Sequence, residues 1–213
     1  MNSFSPNMLK TYQTCPKKYY YKFVEQINVP ASFLKFEQGK KIHALANYYL
    51  QKINISRIES ALTESEKELW LSLLNNPFFQ KTCLKSEYSL TCKAGDYWVG
   101  GRLDAVVKDE ERYYILDYKT GTLPKNPEYD YQTIIYLLCL DVLLENKMPL
   151  AFVYIDVKNS KNHVIEYNQK LKEEYTKLLS NACRTISSDT LFKCCPEGCK
   201  FCEYAKFCPQ TDI

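Results

Sequence analysis

What this 213-residue chain lacks narrows the field first. It has no apolar run of the ~20 residues that a membrane-crossing helix needs, so no membrane partner is expected. Its first residues, Met1-Asn2-Ser3-Phe4-Ser5-Pro6, have no signal-peptide character, which leads to the expectation of a cytoplasmic location. No segment repeats, none is of low complexity and no Pro/Gly/Ser linker divides the chain, which sets solenoids aside and predicts one domain over 1–213. Gly-x4-Gly-Lys-Ser/Thr is absent, so the chain carries no P-loop motor of its own. Charge imbalance is small too: a net +3 is too weak to announce nucleic acid by itself.

What is present is an ordinary globular apolar fraction of 46% and an alternation of helical and strand-like patterns. Ser5 followed by Pro6 opens a helix running toward Glu25, and a second helix is predicted over 36–52. Thr63-Glu-Ser-Glu66 matches a capping box and opens a third that ends before Pro77. Three strand-like runs begin at Leu84, Tyr97 and Arg112. A helix holding Gln132 follows, with Ile135, Leu138 and Val142 able to face a core. Strands over 150–157 and 163–167 and a helix over 169–186 precede a cysteine-rich tail. This order predicts an α/β fold, a mixed sheet flanked by helices.

The chemistry concentrates mid-chain, in Gly101-Arg-Leu-Asp104 and Tyr113-Tyr-Ile-Leu-Asp117-Tyr-Lys119-Thr-Gly121. Strand periodicity puts Asp117 and Lys119 on one face. The charged link Lys108-Asp-Glu-Glu-Arg112 predicts a hairpin that carries Asp104 beside Asp117. Carboxylates and an ammonium sharing one site suit metal-assisted phosphodiester hydrolysis, although Asp-x-Lys alone also describes a surface ion pair. Glu87 reads equally as a third acid or as a solvent-facing strand residue. His43 lies one helical turn after Gly39, which lets another backbone approach. Gln132 and Tyr136 share one side of their helix and suit either phosphate and base contacts or a plain polar stripe.

In this order the pieces resemble the PD-(D/E)XK nuclease superfamily, specifically its RecB-like branch. That branch combines Gly-x-x-x-His, an early glutamate, Gly-x-x-Asp, Asp-x-Lys-Thr-Gly and Gln-x-x-x-Tyr, found here at Gly39 to His43, Glu87, Gly101 to Asp104, Asp117 to Gly121 and Gln132 to Tyr136. The proline of the family name is absent, since Leu103 precedes Asp104 and Leu116 precedes Asp117, as is common in this branch. The resemblance implies a restriction-endonuclease-like core, with Mg2+ or Mn2+ on His43, Asp104 and Asp117, catalysis by Glu87, Asp104, Asp117 and Lys119, and substrate positioning by Gln132 and Tyr136. It implies a deoxyribonuclease, an exonuclease; a preference for single-stranded DNA or DNA ends is expected from the lysine- and tyrosine-bearing N-terminal helix combined with a metal site behind a stapled opening. Such an enzyme would serve CRISPR spacer acquisition or recombinational repair, beside an integrase complex or a helicase subunit. The alternative is a catalytically silent or zinc-stapled DNA-binding subunit of a nuclease-helicase complex.

Ten cysteines without a secretory leader point to metal or cluster ligation rather than disulfides. The tail Cys194-Cys-Pro-Glu-Gly-Cys199-Lys-Phe-Cys202-Glu-Tyr-Ala-Lys-Phe-Cys208-Pro209 offers C-x2-C-x5-C, and Cys15, also before a proline, is the candidate fourth ligand. One N-terminal and three C-terminal cysteines are similar to the iron-sulfur staple of AddB-type and CRISPR-associated nucleases. The resemblance implies a 4Fe-4S cluster on Cys15, Cys199, Cys202 and Cys208, with 1–30 and 190–213 forming the cluster region and joining the termini. Zinc on the same thiolates, or with Cys194 or Cys195 in place of Cys15, fits the same spacing. Cys83, Cys92, Cys139 and Cys183 read as buried small hydrophobes. Residues 1–50 hold seven lysines against two glutamates. With Lys17, Lys18 and the tyrosines Tyr19, Tyr20 and Tyr21, this stretch suits a single strand, or else a solvated face with its rings packed inward.

Overall fold

The computed structural model describes residues 3–29, 37–145 and 148–208. Helix α1, Pro6–Thr14, starts where Ser5 accepts the Met8 N–H, at 3.3 Å. The predicted run to Glu25 is not continuous. Pro16 disfavours helical backbone at the residue before it, and Cys15 is extended, with φ −163°. The Cys15 sulfur then caps α2, Pro16–Tyr19, by accepting the Lys18 N–H at 3.4 Å, and a wider turn carries the chain to Val24.

Helix α3 spans Glu37–Leu50, so the predicted start at Phe36 lies outside the described residues. A short α4, Ser56–Ser60, was not expected, whereas α5, Glu64–Leu74, opens on the Thr63/Glu66 capping box as predicted. Six strands form one mixed sheet: β1 Ser3–Phe4, β2 Thr82–Ala94, β3 Tyr97–Lys108, β4 Tyr113–Lys119, β5 Leu150–Asp156 and β6 Lys161–Glu166. Helices α6, Tyr131–Leu144, and α7, Gln169–Ser188, complete the fold.

Strand β3 organises the sheet. Strand β2 pairs antiparallel along one edge of it, while β1 and β4 share the other edge. β1 runs beside Trp98 and Val99, and β4 beside Ala105 to Lys108, so among the described residues no strand pairs with β3 between Gly100 and Asp104 on that edge. Past the Ala105–Leu116 pair, β3 and β4 splay apart, and the candidate site residues gather at this fork.

Apolar clusters cover both faces of the sheet. Ile115 belongs to the one shared with α1, α6 and α7, and Leu116 to the one shared with α3 and α5. Strand β5 is buried along its whole length, as a central strand covered on both faces must be. Val142, expected to face the core, is 61% exposed near the end of α6, while Ile135 and Leu138 are buried. Cys92, Cys139 and Cys183 are buried, but Cys83 is only half-buried, beside a register shift in β2. No helix among the described residues is long and apolar enough to cross a membrane.

Candidate active site

Strands β2, β3 and β4 and helices α3 and α6 deliver the site. The Asp104 carboxylate reaches across the fork, where its Oδ2 accepts the Tyr118 N–H at 2.9 Å and replaces the ladder bond that the splayed strands no longer make. Its Oδ1 faces His43 Nδ1 at 3.1 Å. His43 comes from α3, which approaches closely at Gly39: a Cβ there would stand 3.0 Å from the Thr120 hydroxyl. Glu87 sits between the Ser86–Ala105 and Tyr88–Leu103 pairs of the β2–β3 ladder, level with Asp104. Its φ of 47° is a left-handed conformation unusual within a strand.

One ligand atom from each of His43, Glu87 and Asp104 lies within 4.8 Å of the others, a set able to hold a metal ion. The histidine sharpens the case. Its Nε2 is 2.9 Å from the Tyr118 carbonyl, which can only accept, so Nε2 carries the proton. In neutral imidazole the Nδ1 lone pair then faces the Asp104 carboxylate, and two acceptors so close need a proton or a cation between them. Burial pulls the His43 pKa down, but the hydrogen bond and charge of Asp104, with the charge of Asp117, outweigh it and leave the imidazole more basic than usual. A hard divalent cation bound by carboxylates and one imidazole answers the same need. Burial, against the pull of Arg102, also raises Glu87 above the ordinary carboxylate range.

Asp117 lies beside this set and deeper, 2% exposed. Its Oδ1 accepts a short hydrogen bond from the Gln132 amide, and its Oδ2 is 2.7 Å from Lys119 Nζ. Burial, then the Asp104 charge, push its carboxyl up to about 6 despite Lys119. The three atoms that converge on a cation position thus come from His43, Glu87 and Asp104, whereas Asp117 is engaged with Lys119 and Gln132. Gln132 is brought there because Asp117 points to the α6 side of β4. Tyr136, 5% exposed, is covered rather than presented to the cleft: it lies over Gly101, where a Cβ would come within 2.9 Å of its ring, and its hydroxyl donates to the Arg102 carbonyl at 2.7 Å.

The cleft over the site, about 770 Å³, is also lined by Lys40, Tyr48 and Arg102, which the sequence reading did not single out. Arg102 ion-pairs with Glu87 at 2.7 Å. Its position two residues before Asp104 on one strand was the available signal.

The N-terminal residues lie elsewhere. Cys15, Cys194, Cys195, Cys199, Cys202 and Cys208 line one small cavity with Lys17 and Lys18, and it shares no lining residue with the cleft. Tyr19 is 1% exposed, packed against Tyr12, Phe23 and Phe192, and Tyr21 is buried with its hydroxyl on the Phe207 carbonyl at 2.8 Å. Neither ring is open to stack on a base, because both instead pack the chain ends together. Tyr20 is half-buried, hydrogen-bonded to Glu25 and covered by Lys17, while Lys18 pairs with Glu203 at 2.8 Å.

A sequence model of the PD-(D/E)XK nuclease superfamily matches residues 3–88 and 74–209. Over 169 residues the chain is 29% identical to RecBCD enzyme subunit RecB of Borreliella burgdorferi, covering 70% of this chain but 13% of that protein. Over 210 residues it is 21% identical to CRISPR-associated exonuclease Cas4 of Francisella tularensis subsp. novicida, covering 97% and 93% of the two chains. The backbone resembles a crystal structure from Eubacterium rectale that carries an exonuclease designation. The TM-score is 0.57 at 10% identity, over 87% of this chain and 80% of that one, a likeness of fold alone. With the family's sequence pattern running from the first strand to the last cysteine and its acids gathered at one fork of the sheet, this chain belongs to the PD-(D/E)XK nuclease superfamily.

Proposed function

We propose that the fork is a Mg2+- or Mn2+-dependent deoxyribonuclease site that trims single-stranded DNA or DNA ends. The observation that carries this reading is the convergence of His43, Glu87 and Asp104 within 4.8 Å, beside the 2.7 Å Asp117–Lys119 pair. Hard oxygen ligands with one imidazole suit these two cations. When bound, the cation supplies positive charge that polarises a phosphodiester and makes water a better nucleophile. The chain's own groups do the rest. His43 Nε2 is anchored on the Tyr118 carbonyl, which fixes the ring with Nδ1 toward the carboxylates. Gln132 and the buried Asp117 hold the Lys119 ammonium at the cleft, where it can offset charge building on phosphorus. Lys40 and Arg102 on the cleft wall add attraction for a phosphate backbone.

Cys15, Cys199, Cys202 and Cys208 are proposed to hold a 4Fe-4S cluster, a reading supported by their common cavity and by the cluster region's place where the chain ends meet. CRISPR spacer acquisition or recombinational repair, with an integrase complex or a helicase subunit as partner, is the proposed setting. The full-length similarity to an exonuclease of the CRISPR-associated type favours the first.

The test is cleavage of end-labelled single-stranded DNA and of a blunt duplex of the same sequence, with Mg2+, Mn2+ or EDTA. Cleavage in either metal, faster on the single strand and absent in EDTA, is expected. Asp117→Asn and Lys119→Ala should each lower the rate at least ~100-fold while metal binding by His43→Ala falls separately in calorimetry. Full activity in EDTA or in Lys119→Ala would overturn the assignment, and equal rates on both substrates would overturn the preference for single strands.

A further inference from the structure

The tail cavity holds more thiols than one four-ligand group uses. Six cysteines line it, and the proposed cluster takes Cys15 with Cys199, Cys202 and Cys208. Cys194 is not a bystander there: its sulfur is 3.4 Å from that of Cys208 and 3.6 Å from that of Cys199. The same strip of tail is clipped against the N-terminal cysteine. The Lys17 N–H donates to the Lys193 carbonyl at 3.2 Å, and the Cys195 N–H donates to the Cys15 sulfur at 3.4 Å. Cys15 and Cys194 therefore approach one cavity from two chain segments held side by side.

We propose that Cys194 is an exchangeable ligand that competes with Cys15 for one coordination position. Cys194, Cys199, Cys202 and Cys208 then form a tail-only set that can carry metal before the N-terminal segment engages. This rests on the metal-holding role proposed above for the tail. Two features give the exchange its direction. A set confined to residues 194–208 closes only short loops, so it costs less chain entropy to assemble in an incompletely folded chain than a set reaching back to Cys15. In the folded chain Cys15 is the more firmly held sulfur, because the Lys18 and Cys195 N–H groups both point at it, each at 3.4 Å. In the exchange the bond from Cys194 sulfur to metal breaks as that from Cys15 forms. The Cys15 thiol gives up one proton, Cys194 takes one, and no electron is transferred.

Full-length wild type, Cys15→Ser, Cys194→Ser, Cys195→Ser and the double variant Cys15→Ser/Cys194→Ser, purified without oxygen, are assayed for iron and zinc per chain, visible absorption and proteolysis of the N-terminal segment. Each single variant should keep at least about half of the wild-type metal, and the double variant less than about a tenth, as expected when a whole ligand position is lost. Cys15→Ser should also shift the absorption spectrum and free the N-terminal segment to protease. A second measurement maps alkylation of the metal-loaded proteins by mass: wild type should protect Cys15, Cys199, Cys202 and Cys208 and label Cys194, whereas Cys15→Ser should protect Cys194 as well. Cys15→Ser as empty as the double variant, Cys194→Ser emptied alone, or Cys194 alkylated as fully in metal-loaded Cys15→Ser as in wild type would overturn the exchange. Wild type without metal in the tail would instead overturn the ligand reading on which it rests.

Discussion

The role proposed for Glu87 rests on its backbone as much as on its carboxylate. A φ of 47° costs a residue with a side chain about 1–2 kcal/mol, and nothing in the β2–β3 hairpin requires an extra turn at that point. The conformation is retained level with Asp104, where it directs the side chain toward His43 and Asp104. Two variants separate strain from ligation. Glu87→Ala removes the carboxylate and keeps the strain; Glu87→Gly removes both. Both should weaken Mn2+ binding in calorimetric titration by roughly 10-fold or more. The glycine variant should be the more stable of the two by about 1 kcal/mol in urea denaturation, against the usual penalty of glycine within a strand. An alanine variant more stable than the glycine one would show that the backbone is unstrained there.

At the scale of elements, the β3–β4 turn is the hinge of the fork, and Asp109 holds it. One carboxylate oxygen accepts the Glu111 and Arg112 N–H groups, both at 3.0 Å, and the other accepts from Lys81 at 2.5 Å and from the Tyr114 hydroxyl at 2.9 Å. The Lys81 hydrogen bond first, then the backbone and phenol donors, hold this carboxyl well below its ordinary range. Since its folded pKa lies under its unfolded one, its stabilisation is complete above the ordinary carboxylate range and is lost as pH falls toward the folded value. Asp109→Asn should lower the melting temperature at neutral pH, and the gap to wild type should narrow steadily below about pH 4. A gap independent of pH would assign the effect to packing. This hairpin was legible in the sequence because a charged five-residue link between two strands is a local signal, as is the Thr63 capping box. Other features were not, because they depend on how distant elements meet. The helical stripe of Ile135, Leu138 and Val142 is correct as periodicity, yet α6 is buried on every side from Thr133 to Asp141 and Val142, near its end, is exposed while Leu144 still packs on the core. Gln132 reads as a phosphate or base contact, and only the facing of β4 toward α6 shows its amide on Asp117. The break at Cys15 is written in Pro16, but its sulfur cap is visible only in three dimensions.

For the molecule as a whole, the chain ends interlock. Tyr12 donates to Asp189 at 2.7 Å, Lys18 pairs with Glu203, Tyr21 donates to the Phe207 carbonyl, and Tyr204 donates to the Ile27 carbonyl at 3.2 Å. Removal of residues 189–213 would uncover Tyr19 on its Phe192 side, and each buried ring so exposed costs about 2 kcal/mol. The shortened chain should therefore lose protease resistance between residues 3 and 29 while keeping its strand circular dichroism and the Mn2+ binding proposed for His43. Loss of all three together would mean that the sheet itself depends on the tail.

Strand β4 is paired with β5 along its whole length and with β3 as far as Leu116, and it is covered on both faces, whereas among the described residues β2 is paired by β3 alone and α3 lies outside the sheet. Native-state amide exchange should consequently be slowest in β4, and the Asp117–Lys119 half of the site should survive fluctuations that release Glu87 and His43. Warming would then silence the enzyme by loosening its outer half before the fold is lost, and cooling would restore it without any refolding step.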